Sequence, residues 1–300
     1  MGNHDFVLGL GGGGGRGLAH LGVLQALDEH DLKPSAIVGT SIGALFGAMY
    51  ALYGDAEVVI GRVMEVLNSD SFQHLHLPHL REAETEDHTW LGKLTASARQ
   101  SVLYTRAATG IALTDTDAMH DIVNHLCNSS GYDDLSIPLF VTSVHFPSGE
   151  IELFSNGDLT RCVVASMAIP GVFEPVDIDG RLYVDGGIAC ELPAREARMI
   201  AKPGQTVVIV DVGARPDPDS VPETVIGMLD WSIRIKSHYL REYKAKYADI
   251  LIEPVPGFRQ WSDFSHPRQE IERGREVAME KMPALISLLE SGAASGVVSD

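Results

Sequence analysis

Pro34-Ser35-Ala36-Ile37-Val38-Gly39-Thr40-Ser41-Ile42-Gly43-Ala44-Leu45-Phe46-Gly47-Ala48-Met49-Tyr50-Ala51-Leu52-Tyr53 is the stretch whose reading decides the fold. A short apolar rise through Ala36, Ile37 and Val38 meets a serine between two glycines, and an apolar run rich in small residues follows. The pattern predicts strand, tight turn, helix. In that context G-x-S-x-G reads as a nucleophile elbow, whose turn strains the serine backbone and lifts its hydroxyl above the sheet. Ser41 is that serine. Gly39 and Gly43 remove side chains that would collide as strand and helix approach. The competing reading is a serine N-cap on an ordinary buried helix, and the rest of the chain decides between them.

Toward the N-terminus, Phe6 to Leu10 reads as a strand, Gly11 to Gly15 with Arg16-Gly17 as a loop, and Leu18 to Leu27 as a helix with apolar residues at helical spacing. Gly9-x-Gly11-x-x-Gly14 fits a dinucleotide fingerprint, but the second strand then ends at Val38 with no acidic residue for a ribose. Five consecutive glycines make such a match nearly automatic. Glycine N–H groups at a helix start, with the positive end of the dipole behind them, equally suit a developing oxyanion. Arg16 adds charge or ties the loop down.

The loop and the elbow together carry a resemblance. Gly12-Gly13-Gly14-Gly15-Arg16-Gly17 resembles the G-G-G-x-R-G motif of patatin-like phospholipases, and Gly39-Thr40-Ser41-Ile42-Gly43 resembles their elbow. Asp185-Gly186-Gly187 is similar to their D-G-G motif with its catalytic aspartate. Ala165-Ser166-Met167-Ala168-Ile169-Pro170-Gly171-Val172-Phe173 is similar to the preceding segment in bacterial members related to neuropathy target esterase. The four motifs span residues 8 to 187 in order. The resemblance implies a three-layer α/β/α hydrolase with a central, mostly parallel sheet and a Ser-Asp dyad of Ser41 and Asp185 without a histidine. One departure bears on hydrogen bonding around the aspartate: Cys190-Glu191 stand before Leu192-Pro193, where relatives usually carry asparagines.

An aspartate alone can serve, because a desolvated carboxylate has the proton affinity to take the serine proton and return it to the leaving alcohol. The more usual arrangement adds a histidine. His238 falls in a helical pattern and His266 in a Pro-flanked turn, while His20 reads as a packed residue of the first helix. Asp211, at the end of the Val-Val-Ile-Val strand, is the rival acid.

Elsewhere, Asp55 to Leu67 and Asp117 to Cys127 read as helices, the second capped by Thr114-Asp115. Ile137 to Phe146 and Glu150 to Phe154 read as a hairpin, and Leu159 to Met167 as a helix. Arg181 to Val184 and Thr206 to Val212 read as strands, as does Ile250 to Ile252; Val225 to Tyr247 and Pro267 to Leu289 read as helices. Residues 68–113 are expected to form a cap or lid on the single domain 1–292, and 293–300 a flexible tail. His74, His76, His79 and His88 fall within the lid, but interleaved leucines and no carboxylate at helical spacing argue against a metal there.

The net charge of −18 over 300 residues opposes nucleic acid binding and gives no general attraction to anionic lipid, so any membrane contact must be local and apolar. Cys127, Cys162 and Cys190 are odd in number and lack C-x-x-C spacing, which indicates reduced thiols. Met1-Gly2 fails as a myristoylation signal because Phe6 replaces the Ser or Thr required. With no signal-peptide core, the expected location is cytoplasmic, peripheral at membranes where the substrate is a lipid. No reading of the chain as a strong membrane-binding helix emerges.

The elbow together with the resemblance implies a serine acyl hydrolase acting on phospholipid or lysophospholipid esters through an acyl-Ser41 intermediate. Gly12, Gly13, Gly14 and the Arg16 backbone supply the oxyanion site, Gly39, Gly43, Gly186 and Gly187 shape the turns, and no metal or organic cofactor is implied. The alternatives are an esterase or thioesterase for soluble acyl substrates and a non-catalytic regulatory protein on the same fold.

Overall fold

The computed structural model describes residues 5–69, 112–114, 116–219, 221–255 and 262–291. In chain order they form Phe6–Leu10 (β1), a 3-10 turn at Gly14–Leu18, Ala19–Glu29 (α1), Ala36–Thr40 (β2), Ile42–Tyr53 (α2) and Ala56–Leu67 (α3). Ala112–Thr114 (β3), Asp117–Leu126 (α4), Leu139–Phe146 (β4), Ile151–Phe154 (β5) and Leu159–Met167 (α5) come next. Gly171–Phe173 (β6), Val176–Ile178 (β7), Arg181–Asp185 (β8), the single turn Gly187–Cys190 (α6) and Ala194–Ile200 (α7) then surround the D-G-G segment. Thr206–Val210 (β9), Val225–Ala245 (α8), Ile250–Ile252 (β10) and Pro267–Ser291 (α9) complete the described chain.

The main sheet runs β10-β9-β1-β2-β4-β8-β7, with β5 also paired to β4. Strands β10, β9, β1, β2 and β4 are mutually parallel, whereas β5, β8 and β7 add antiparallel pairs at one end. A parallel strand covered by helices on both faces needs apolar residues throughout, and β1, β2 and β9 are buried along their whole length. Alternation sorts their side chains into two cores. Phe6, Leu8, Leu10, Ile37, Val208 and Val210 face a layer that includes α1, α2 and α9; Val7, Val38, Val207 and Ile209 face α7. The architecture is therefore a three-layer α/β/α fold around a mostly parallel sheet.

Strand β4 brings the two halves of the candidate site together. Its residues 139–142 pair with β2, ending at Thr40 opposite Thr142, and its residues 143–146 pair with β8, beginning at Asp185 opposite Ser143. β5 pairs with residues 141–144 and overlaps both, so it occupies the other edge of β4. β2 and β8 consequently meet end to end along one edge, arriving from opposite directions. The turn after β2 and the end of β8 are neighbours for that reason.

Two details differ from the sequence reading, and one expectation falls outside the described residues. The N-cap of α4 is Thr116, with no side-chain cap bond, because the helix begins one residue later than a Thr114-Asp115 cap requires. Strands β6 and β7 and helix α7 were not indicated, since elements of three to seven residues are too short to show a period. The expected lid at 68–113 and its four histidines lie, apart from residues at its two ends, outside the described residues, as does the tail at 293–300.

Candidate active site

The serine occupies a strand-to-helix turn whose backbone only a special context tolerates. Ser41 has φ 55 and ψ −124, a region that a residue with a Cβ adopts under strain, and it immediately precedes α2. A Cβ on Gly43 would strike the Leu10 carbonyl, and one on Gly39 would strike the Ala44 backbone, so both flanking glycines are required by packing. The Ser41 N–H donates to the Ser166 hydroxyl at 2.8 Å, and Ser166 is wholly buried on α5. Thr40 completes the support from within: its hydroxyl lies 2.7 Å from that of Thr142 and 2.8 Å from the Cys190 carbonyl it donates to. One side chain therefore links β2, β4 and the turn after Asp185.

Asp185 sits at the end of β8, 5% exposed, and accepts the Ser41 hydroxyl on Oδ2 at 2.9 Å. Its Oδ1 accepts the Gly187 N–H at 2.6 Å, and its own N–H donates to the Ala168 carbonyl at 2.9 Å. Burial pushes its carboxyl up to about 7; the Gly187 N–H and the Ser41 hydroxyl pull it back, and the charge of Glu191 adds to the rise. Gly186 leaves no room for a side chain against Thr142, and a Cβ on Gly187 would crowd Asp185 Oδ1 at 3.0 Å.

The glycine loop passes beside the serine: a Cβ on Gly12 would stand 3.4 Å from that of Ser41. The Gly12 N–H, however, donates to the Glu191 carbonyl at 2.8 Å, so this glycine anchors the loop and has no N–H left to offer. In the 3-10 turn each N–H bonds three residues back, which occupies that of Arg16 and leaves those of Gly13, Gly14 and Gly15 without a partner inside the turn. The Arg16 side chain is buried and its Nε donates to the Gly13 carbonyl at 3.0 Å, tying the loop down. Burial lowers its guanidinium to about 10, against the opposing pull of Glu191.

Residues behind the site support it. His20 is fully buried on α1 with Nε2 2.8 Å from the Gly11 carbonyl, and burial drives it down to about 4, so it is a neutral prop under the loop. Glu191 receives Arg241 at 3.1 Å and the Ser237 hydroxyl from α8, so the residue that departs from the family pattern is held by its carboxylate as well as its carbonyl. Arg241 also pairs with Asp211 at 3.2 Å and donates to the Ala214 carbonyl at 2.7 Å. Asp211 further accepts the Gly213 N–H at 2.8 Å. The rival acid is thus engaged in an ion pair that clamps α8 to the sheet. His238 lies 3.5 Å from Glu242 on α8, and His266 precedes α9.

A serine elbow at the carboxyl end of a parallel strand is a feature of hydrolytic α/β folds. Among them, this chain belongs to the patatin-like phospholipase family, whose model matches residues 8–198. It is 31% identical over 211 residues to lysophospholipase NTE1 of Candida glabrata, covering 69% of this chain and 10% of that protein. With human patatin-like phospholipase domain-containing protein 6 it shares 29% over 218 residues, 72% of this chain and 14% of the relative. An uncharacterized NTE family protein of Mycobacterium tuberculosis is 34% identical over 190 residues, 62% of this chain and 44% of its own length. The chain therefore matches only a part of each of these relatives.

Proposed function

We propose that the chain is a serine acyl hydrolase that cleaves carboxylic esters of phospholipids or lysophospholipids through an acyl-Ser41 intermediate. The observation that carries this reading is the 2.9 Å hydrogen bond from the Ser41 hydroxyl to a buried Asp185 carboxylate. Asp185 accepts the serine proton as Oγ attacks the ester carbonyl, then returns it to the leaving alcohol; water repeats the cycle in reverse to free the fatty acid. Burial supports the role, since a carboxylate near 7 is a far better base than one at its ordinary value. Gly13 and Gly14 donate their N–H groups to the tetrahedral oxyanion, with Gly12 and Arg16 holding the loop that presents them. The family membership and the lysophospholipase among its relatives support a lipid ester as substrate.

A fluorophosphonate probe followed by a substrate panel tests this reading. Covalent labelling of the parent at Ser41, none in Ser41→Ala, and turnover of lysophospholipid or phospholipid is the expected result. Labelling with turnover confined to acyl-CoA or short p-nitrophenyl esters would instead favour a soluble-substrate esterase, and absence of labelling a non-catalytic protein.

A further inference from the structure

Helix α8 is amphipathic in the reverse sense. Its inward face is polar: Ser237 and Arg241 bind Glu191, Arg241 binds Asp211, and Lys244 donates to Glu196 at 3.2 Å and to the Ala189 carbonyl at 3.2 Å. Its outward face is apolar. Val225, Met228, Leu229, Ile233, Tyr239 and Tyr243 are each between 51% and 78% exposed. At 3.6 residues per turn these six project into one sector of about 140° along a helix roughly 31 Å long. Apolar residues scattered singly on a surface need no explanation, but a continuous stripe of this length marks a contact site.

We infer that the outward face of α8 is a docking surface for an anionic lipid bilayer, on which the helix lies in the interfacial plane. The charges on the page select this occupant. Lys236 and Lys246 project within the apolar sector, while Asp230 and Glu242 fall outside it, so the stripe is locally cationic on a chain of net charge −18. Lys246 stacks over the Tyr243 ring at 3.8 Å, and a cation beside an exposed tyrosine is the residue chemistry of a headgroup boundary. A second copy fits less well, because a two-fold pairing of this face would set lysines against lysines. None of the helices among the described residues is long and apolar enough to cross a membrane.

The placement gives docking a purpose that rests on the lipid-hydrolase reading above. The inward face grips the turn directly after Asp185 through Ala189 and Glu191, and the Glu191 carbonyl holds the glycine loop. Docking through α8 therefore ties the turn after Asp185, and through it the glycine loop, to the element that meets the bilayer.

The test is vesicle flotation of the full chain in the Ser41→Ala background, so that no product alters the lipid. Vesicles of phosphatidylcholine alone are compared with an equal mixture of phosphatidylcholine and phosphatidylglycerol. The chain floats with the mixed vesicles, Ile233→Glu/Tyr239→Glu lowers the partition about tenfold or more, and Lys236→Glu lowers it only where phosphatidylglycerol is present. With Ser41 restored, both variants keep parental turnover of a soluble short-chain p-nitrophenyl ester, which also reports that they are folded. Flotation unchanged by either variant overturns the proposal. So does conversion of a dimer to a monomer by Ile233→Glu/Tyr239→Glu without loss of flotation, which makes the face a self-contact. The outcomes separate the two readings: variant-sensitive flotation of a chain that hydrolyses no lipid ester leaves docking standing and removes the hydrolase, whereas hydrolysis of detergent-dispersed lipid with variant-insensitive flotation does the reverse.

Discussion

The backbone N–H of Ser41 donates to the hydroxyl of Ser166 across 2.8 Å, joining the elbow to helix α5. Without that partner the part-buried amide would lose a hydrogen bond at a strained position, a cost of about 1 kcal/mol. On the proposed mechanism Ser166 is thus a positioning residue for Ser41. Ser166→Ala is expected to lower thermal stability and to reduce kcat roughly tenfold with KM and the pH midpoint unchanged, because the elbow relaxes while Asp185 keeps its surroundings. A variant that loses stability but keeps full kcat per folded molecule would show the bond to be structural only.

The glycine loop yields a prediction that separates space from backbone conformation. A Cβ on Gly13 meets Val212 at 2.7 Å, whereas Gly14 is held at φ 56. Gly13→Ala therefore displaces the loop, and about two to three orders of magnitude in kcat should be lost with the aimed donor. Gly14→Asn should retain more activity than Gly14→Val, since Asn tolerates the left-handed region and a β-branched residue does not. Equal activities for the two would mean that the conformation at Gly14 does not hold the donor.

On the proposed mechanism Asp185 governs the pH dependence. Because burial pushes its carboxyl up to about 7, and the base must be ionised, kcat/KM should rise with pH through a midpoint near 7. Glu191 adds to the rise, so Glu191→Gln should move the midpoint down. The same shift acts on folding with a defined sign. A carboxyl whose folded value is raised binds a proton in the native state where the unfolded chain has released it, so stability falls as pH climbs from the ordinary carboxylate range to about 7. Asp185→Asn removes that loss and should melt higher than the parent at pH 8 while matching it more closely at pH 5. An Asp185→Asn protein that melts lower than the parent at pH 8 would contradict the burial argument.

The sequence made the elbow, the glycine loop and the Asp185 strand legible because each is a local signal: an apolar run, a glycine-defined turn, a helical period. Helix α5 and strand β10 also fall at their expected bounds for this reason. What it concealed depends on pairing across long separations. The bond from Gly12 to the Glu191 carbonyl, which removes one expected donor, follows from how the turn after β8 seats beside the loop. Ser166 was visible within a motif, yet its partner is fixed only when α5 packs on the elbow. In α8 the period was read correctly as helix, but a hydrophobic period does not say which face is inward, and there Arg241 and Lys244 take the buried side. The end-to-end meeting of β2 and β8 along β4 is likewise a property of the sheet, since no residue pattern announces which edge a strand will use.

The central claim is that Asp185 takes the Ser41 proton directly, and the comparison of Asp185→Asn with Ser41→Ala on a soluble p-nitrophenyl ester tests it most directly. The two should fall together by three or more orders of magnitude in kcat, roughly as nucleophile and base knockouts do, while His238→Ala, His266→Ala and Asp211→Asn each keep most of the parental activity. A folded Asp185→Asn protein with near-parental turnover, or a folded histidine variant that falls as far as Ser41→Ala, would contradict it.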